Sequence, residues 1–134
     1  MFKLIKIQNA GRNVPEIEKL QKLSSSTIKA GEALFIEDGF AKACPVTTVP
    51  THIAFADAAY GTNDVICYPI SGDMLFETTI NASPSGVYVG SKVTLGKDSG
   101  SSSVCVTATT TSGVATVVDL MKATAVGDKI TVKF

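Results

Sequence analysis

The stretch from residue 64 to residue 80, DVICYPISGDMLFETTI, decides the fold. A run rich in Val, Ile and Tyr is followed by Ser71-Gly72-Asp73 and then by a second run rich in Leu, Phe and Thr. β-Branched and aromatic residues favour strands, whereas Ser, Gly and Asp favour the turns that join them. The stretch therefore predicts two strands, near 64–69 and 74–80, with a short turn between them.

The same alternation of strand-forming runs and turn residues continues over most of the chain. Residues 3–7 alternate lysines with apolar residues and predict a short strand or strand-forming arm. No stretch after residue 27 keeps a helical period for three turns, and turn signals recur every eight to twelve residues or so. This pattern predicts an all-β domain, a barrel or a sandwich. The further strands are expected near 33–37, 40–43, 52–56, 91–96, 103–109, 114–120 and 129–134.

Three segments share one turn device, in which a glycine and a polar residue precede alternating apolar positions. They are residues 28–34, 88–95 and 125–132, with Gly31, Gly90 and Gly127 at equivalent places. Glycine adopts backbone conformations that other residues resist, so each segment is expected to turn the chain sharply into a strand.

Two further turns are predicted nearer the C-terminus. Residues 98–103, DSGSSS, predict an exposed loop between strands. Residues 110–113, TTSG, predict a tight hairpin that joins a strand at 104–109 to a strand at 114–120.

The N-terminal residues 1–27 have a different pattern of apolar residues from the rest of the chain. Apolar residues recur there at a three-residue spacing, which suits one face of a short helix near 14–23. Asn13 is a possible cap and Pro15 is tolerated in a first turn, but two turns are marginal, so an extended arm remains an alternative. Ser24-Ser25-Ser26 resembles a linker. We predict an N-terminal arm and linker at 1–27 and a β-barrel domain at 28–134.

Charge limits the partners that the chain can have. Twelve basic residues balance twelve acidic ones, so the formal net charge is zero. A neutral chain has no electrostatic attraction to nucleic acid or anionic membranes, and no apolar run reaches the roughly 18 residues that span a bilayer. We expect neither partner. Only 18% of the residues are charged, against about 25% in ordinary soluble domains, so we expect other proteins to cover part of the surface.

The residues provide little catalytic chemistry. The single histidine, His52, has no nucleophile motif such as Gly-x-Ser-x-Gly to act with, and is expected to be a solvated or hydrogen-bonded residue at a strand end. Cys44, Cys67 and Cys105 lie far apart among apolar or small residues, as buried free thiols made in a reducing cytoplasm do. We expect no enzyme activity, no metal, no cofactor and no secretory signal.

Several segments, taken in order, resemble a known family. They are residues 11–20 (GRNVPEIEKL), 29–34 (KAGEAL), 50–57 (PTHIAFAD), 65–70 (VICYPI), 73–77 (DMLFE), 109–119 (TTTSGVATVVD) and 127–134 (GDKITVKF). Together they resemble the small capsid decoration, or cement, proteins of tailed bacteriophages, particularly those infecting Firmicutes. The resemblance implies a compact β-barrel or β-tulip with an N-terminal arm, assembling as a homotrimer on the capsid exterior of the virion after synthesis in the host cytoplasm.

Such proteins stabilise the shell by bridging neighbouring copies of the phage major capsid protein. An unpaired strand-like arm could add to the edge of a partner's sheet, so apolar arm residues and one arginine are the predicted contacts. Other phage β-modules, such as a head fibre, tail or baseplate component, are the alternative. A ligand-binding barrel would need an aromatic cleft, which a chain without Trp supplies poorly. The predicted capsid-binding residues are Phe2, Leu4, Ile5, Ile7, Arg12, Val14, Ile17, Leu20 and Leu23.

Overall fold

The computed structural model describes residues 1–8, 14–98 and 104–134, and the regular structure of these residues consists of strands. The prediction of an all-β chain is confirmed, and each strand expected after residue 27 is present. Within the described ranges no helix is long and apolar enough to cross a bilayer. The strands are β1 (Lys3–Ile7), β2 (Glu18–Gln21), β3 (Ala33–Glu37), β4 (Phe40–Ala43), β5 (His52–Ala54), β6 (Asp64–Pro69), β7 (Met74–Thr79), β8 (Lys92–Val93), β9 (Leu95–Lys97), β10 (Val104–Val106), β11 (Ala115–Asp119) and β12 (Lys129–Lys133).

Most of the strands form two five-stranded antiparallel sheets. Sheet A has the order β1-β7-β12-β11-β8, and sheet B has the order β2-β6-β5-β3-β4. Strands β9 and β10 form a separate two-stranded ladder. The predicted barrel or β-tulip is corrected in one respect, because no ladder among the described strands joins sheet A to sheet B and the structure is not a closed barrel.

Sheet B has a core on each of its faces. On one face Ile53 and Tyr68 join side chains of sheet A, including Phe76 and Val132, in the main core between the sheets. On its other face a smaller core contains residues such as Cys67. Burial of a large apolar side chain contributes roughly 1.5–3 kcal/mol, so the main core carries most of the stability.

The predicted glycine device is confirmed at all three of its positions. Gly31, Gly90 and Gly127 have φ angles of 78°, 90° and 87°, and each lies two residues before a strand. At Gly31 a β-carbon would lie 3.0 Å from the carbonyl oxygen of Phe2. The Phe2 amide donates a hydrogen bond to the Gly31 carbonyl at 2.8 Å, so this glycine brings the chain before β1 against sheet B.

The predicted hairpin at residues 110–113 is wrong. Strand β10 pairs with β9, whereas β11 pairs with β8 and β12. The segments on both sides of residues 110–113 therefore pair with the same stretch, residues 92–97. The residues between these segments form a loop and do not join two strands that pair with each other. The backbone of Gly113 lies so close to Lys92 that a β-carbon would be 2.3 Å from the Lys92 carbonyl carbon. The predicted loop at 98–103 falls outside the described residues except for Asp98.

The N-terminal segment is also corrected. Strand β1 pairs with β7 in sheet A, and β2 pairs with β6 in sheet B. The chain at 18–21 is thus a strand and not part of a helix, because its backbone groups pair with β6. No domain boundary lies near residue 27, since Phe2 is 2% exposed in the main core. The described part of the predicted arm belongs to the β domain.

Candidate functional site

One side of the molecule carries a cluster of exposed apolar side chains, which we call the apolar surface. The amide of Phe55, just after β5, donates to the carbonyl of Ile66 in β6 at 2.8 Å. Lys19 pairs with Ile66, so Ile17, two residues earlier, lies on the same face of sheet B. The side chains of Ile17, Phe55 and Ile66 are 48%, 54% and 44% exposed. The apolar surface consists of Met1, Pro15, Ile17, Phe55 and Ile66.

A groove beside these side chains extends the apolar surface towards sheet A. It has a volume of about 370 Å³, and its lining includes Met1, Leu4, Pro15, Ala54, Phe55 and Tyr68. The groove lies where the start of β1 meets the end of β5, which is the approach that Gly31 permits. It therefore joins β1, an edge strand of sheet A, to the end of β5, the central strand of sheet B, in one concave, mainly apolar feature.

Two pairs of opposite charges lie near the apolar surface. Lys19 and Asp64 form a salt bridge of 2.8 Å, and Lys29 and Asp57 form one of 3.3 Å. The Ala30 amide donates to Asp57 at 2.8 Å, and this bond, followed by the contact with Lys29, lowers the pKa of Asp57. These two pairs add no net charge to the surface, and the exposed Lys3 also lines the groove.

The structure divides the predicted binding residues into two groups. Phe2 is a core residue, and Leu4 and Ile7 pack partly against the main core. Leu20 packs against the smaller core. Arg12 lies outside the described residues. The exposed members are Ile5, Val14, Ile17 and Leu23, and for these a role in binding stays a prediction.

Sequence reasoning missed Phe55 and Ile66, which complete the apolar surface. Both lie in stretches predicted as core strands, because the pattern there is apolar on both faces. The run from Val65 to Tyr68 does contain one indication of where Ile66 lies. Alternate residues of a strand share a face, so Ile66 is on the same face as Tyr68. In the fold Tyr68 is buried in the main core with side chains of sheet A, whereas Ile66 is exposed, and the position of sheet A over β6 cannot be read from the run itself.

His52 has structural partners in the fold, as predicted. It is the first residue of β5 and is 8% exposed. Its Nδ1 atom lies 2.8 Å from the Thr51 hydroxyl, and its Nε2 atom lies 2.5 Å from the Glu18 carboxylate. Asp57, the acid nearest in sequence, instead binds the Ala30 amide and Lys29.

The cysteines are free, as predicted. Cys67 and Cys105 are buried and Cys44 is half-buried. Burial raises the pKa of each thiol to about 11, so all three are protonated at neutral pH. In the described ranges no three or more His, Cys, Asp or Glu residues are grouped in a way that could hold a metal ion.

Comparison with known proteins finds a similar fold. No family model matches the chain, and no curated protein matches its sequence. The fold is similar to the N base of the head fibre protein gp8.5 of bacteriophage phi29, with a TM-score of 0.54 and 18% identity. The similarity covers 89% of this chain and 94% of that one. It shows that the two chains have a similar fold.

Proposed function

We propose that the chain is a structural protein of a phage virion that binds the outer surface of the capsid. The observation that carries the proposal is the fold similarity to the base of a phage head fibre, which spans 89% of this chain and 94% of that one. A match over nearly the whole of both chains leaves little of either domain without a counterpart. The exposed apolar side chains and the low charge content support a role in binding protein.

In this proposal the apolar surface contacts a subunit of the major capsid protein. Phe55 and Ile66 stand side by side on sheet B, next to the groove that the start of β1 completes. Burial of such side chains contributes roughly 25 cal/mol per Å² of apolar area. The protein would act by binding and not by catalysis, and it would stabilise the shell by bridging neighbouring subunits.

We also propose a homotrimer on the capsid exterior. A trimer would present three copies of the apolar surface to the lattice, so weak contacts would act together through a high effective concentration. The low fraction of charged residues, 18%, supports contact between copies.

The second candidate function is the base of a head fibre. It is favoured by the description of the similar structure, which is itself a head fibre base. The two functions differ in what stands on the capsid: a decoration protein forms compact knobs, whereas a fibre base carries a projecting fibre. Electron microscopy of heads bearing this protein would distinguish them.

The binding experiment uses the purified chain and empty expanded capsids of the phage whose genome encodes it. Phe55→Ser combined with Ile66→Ser should lower the affinity at least about tenfold, because side chains central to an interface often contribute more than 1 kcal/mol each. Val126→Ser is the control, since Val126 is 61% exposed in the turn before β12. Sedimentation of the free protein reports the oligomeric state. A monomer that does not bind capsids would contradict the proposal.

A further inference from the structure

Strand β1 lies at the edge of sheet A and pairs with β7 on one side only. The direction of its backbone groups follows from β7. The amide of Ile80 donates to the carbonyl of Asp128 at 3.0 Å, so alternate residues back to Phe76 direct their amides and carbonyls towards β12. Leu4 lies opposite Phe76. Because Phe76 bonds to β12, the amide and carbonyl of Leu4 point away from β7, to the open side of β1.

The open side of β1 makes one sheet-like hydrogen bond just before the strand begins. Phe2 also points away from β7, and its amide donates to the carbonyl of Gly31 at 2.8 Å. The chain of Gly31 then leaves this edge, since its own amide donates to the carbonyl of Ala54 in sheet B at 2.8 Å. At Leu4 no group in the described part of the chain bonds to the outward amide or carbonyl. Leu4 therefore presents one donor and one acceptor on an open sheet edge.

The apolar groove runs beside this open edge. Leu4 lines it together with Phe55 and Tyr68. The side chain of Leu4 packs partly against the main core, so it lies on the inner face of sheet A. Residues that lie directly opposite each other in a ladder share a face, so a strand added beside Leu4 would direct alternate side chains into the groove. Strand addition needs these two parts, because backbone bonds give affinity and pockets for alternate side chains give specificity.

The charge on β1 is that of two exposed lysines. Lys3 lies opposite Glu77 in the ladder with β7, so an acid already stands beside it. Lys6 lies opposite Leu75, which is apolar, and forms no salt bridge with any residue that the structure describes. Asp73, two residues before Leu75, accepts a hydrogen bond from a serine of its own turn. Lys6 is therefore the charge on this edge that a partner can pair with.

We propose that the capsid subunit contributes an extended segment, which pairs with β1 at Leu4 as an added strand of sheet A. Its apolar side chains on one face would enter the groove, and an acidic side chain on the other face would lie beside Lys6. Opposite charges on neighbouring strands stabilise pairing and like charges destabilise it, so a second copy of β1, which carries the same lysines, fits this edge poorly. The identity of the partner rests on the proposed function, and the pairing explains how the groove binds that partner.

The test uses Leu4→Pro, which removes the outward amide hydrogen and leaves the bonds between β1 and β7 in place. Proline is tolerated in an edge strand where the N–H faces away from the sheet, so the variant should keep the β circular-dichroism spectrum. Leu4→Ala is the control for the lost side chain. In co-sedimentation with empty expanded capsids of the same phage, Leu4→Pro should bind at least about tenfold more weakly than Leu4→Ala, because it leaves a carbonyl of the partner unpaired.

Ala43 of β4 provides a matched position on an edge of sheet B. It lies opposite Leu34, whose carbonyl accepts from the Thr51 amide on the other side at 2.9 Å, so the amide of Ala43 also points outward. Ala43→Pro makes the same chemical change away from the groove and should bind capsids as the wild type does. Hydrogen exchange of the wild-type protein, followed by mass spectrometry, should slow in residues 1–8 on capsid binding and stay unchanged in residues 40–43.

Lys6→Glu tests the acidic face of the added segment. It should weaken capsid binding about threefold or more, since an attraction between neighbouring strands becomes a repulsion. Lys133→Glu is the control, because Lys133 is exposed on β12, which has a strand on each side, and it should bind as the wild type does. Wild-type affinity in Lys6→Glu would overturn the acidic chemistry of the segment.

The remaining outcomes separate strand addition from the proposed function. Equal capsid affinity of Leu4→Pro and Leu4→Ala would overturn strand addition and leave the proposed function intact. A changed oligomeric state of free Leu4→Pro in sedimentation would show that the edge binds a second copy of this chain, and the capsid segment would be wrong. Failure of the wild-type protein to bind capsids would overturn both proposals.

Discussion

Strands β1 and β2 both come from the first 21 residues and both lie at the edge of a sheet, yet they are held in different ways. The chain of β1 is fixed by an apolar side chain next to it, whereas β2 is fixed by polar groups at its two ends. The difference teaches that the exposed fraction of an edge strand does not indicate how firmly it is attached. Strand β1 depends on one residue just before its start, and β2 depends on one residue at its start and one just after its end.

For β1 that residue is Phe2. Its ring lies 6.5 Å from the ring of Phe76 and 5.2 Å from that of Phe134, measured between centroids, in edge-to-face arrangements. Such pairs contribute roughly 0.5–1.5 kcal/mol beyond the burial of their area. Phe134, which follows β12, completes this cluster. Residues 2 and 134 therefore pack together in one aromatic group.

For β2 the fixed points are Glu18 at its first residue and Lys22 just after its last. The Glu18 carboxylate contacts His52 of β5. The Lys22 ammonium binds three carbonyl groups in two turns, residues 22–27 and 58–63. Of the side chains of β2, only that of Leu20 packs against a core cluster. The polar groups therefore hold β2 in its sheet, as Phe2 holds β1.

The largest expected effect is that of Phe2→Ala, which removes the apolar anchor of β1. It should lower the free energy of unfolding by about 3–5 kcal/mol, because truncation of a buried aromatic side chain also leaves a cavity. Urea denaturation followed by circular dichroism measures the change. Ile5→Ala in the same strand is the control and should change stability by no more than about 0.5 kcal/mol, since Ile5 is 45% exposed. Equal effects would show that β1 is not anchored through Phe2.

Lys22→Met should lower the free energy of unfolding by about 2–3 kcal/mol. Methionine fills a similar volume but removes the ammonium donor from the partly buried carbonyl groups of Ser26 and Thr62. Lys19→Met is the matched control in the same strand: the Lys19–Asp64 bridge is exposed, with side-chain exposures of 67% and 45%, and such pairs contribute about 0–1 kcal/mol. The same denaturation experiment compares them. A cost for Lys22→Met no greater than that for Lys19→Met would contradict the polar anchoring of β2.

The contrast between these strands also explains what the sequence could and could not predict. The alternation of Lys and apolar residues at 3–7 predicts a strand, and β1 is a strand. The pattern does not identify the partner of that strand, because β1 pairs with β7, whose residues lie more than 60 positions further along the chain. The assignment of residues 1–27 to an arm failed for this reason.

Residues 14–23 show a second limit. The apolar spacing there suits a helix, but tertiary pairing overrides local pattern when a strand edge is available. Leu20 faces the smaller core while Ile17 is exposed. The three-residue apolar spacing therefore does not correspond to a single buried face. Lys22 could not be identified either: a lysine beside a serine run normally reads as solvated, and one of its acceptors, the carbonyl of Thr62, lies 40 residues further along the chain.

Gly31→Ala tests the contact between the start of β1 and sheet B. Gly31 has a φ of 78°, and an added β-carbon would lie 2.2 Å from the Met1 side chain and 3.0 Å from the Phe2 carbonyl oxygen. We expect a loss of about 2 kcal/mol. Gly61→Ala in the turn before β6 is the control, because Gly61 has a similar φ of 87° with nothing within 4 Å of the added carbon, and should cost about 1 kcal/mol. The difference between the two losses of stability, measured by thermal unfolding, gives the contribution of the steric contact. Identical losses would show that backbone strain accounts for the whole effect and that the contact contributes nothing.

The smallest expected effect is local and concerns the first residue of β2. Glu18 pairs with Cys67 in the ladder with β6, so opening of β2 should expose that thiol. Burial, and after it the charge of Glu18, raises the pKa of Cys67 to about 11, so the closed state protects it against alkylation. Glu18→Ala removes the contact with His52 and should speed alkylation of Cys67 about two- to fivefold, which corresponds to about 0.5–1 kcal/mol.

Cys105 is the internal control for that experiment, because it is equally buried but lies next to Val104, the residue whose carbonyl accepts from the Met1 amino group. Mass spectrometry of the alkylated protein follows both thiols in one sample. Glu18→Gln should have a smaller effect than Glu18→Ala, since the amide oxygen can still accept a hydrogen bond from His52. If Cys105 reacted faster by the same factor as Cys67, the opening would be global, and β2 would be no more separable from the domain than β1.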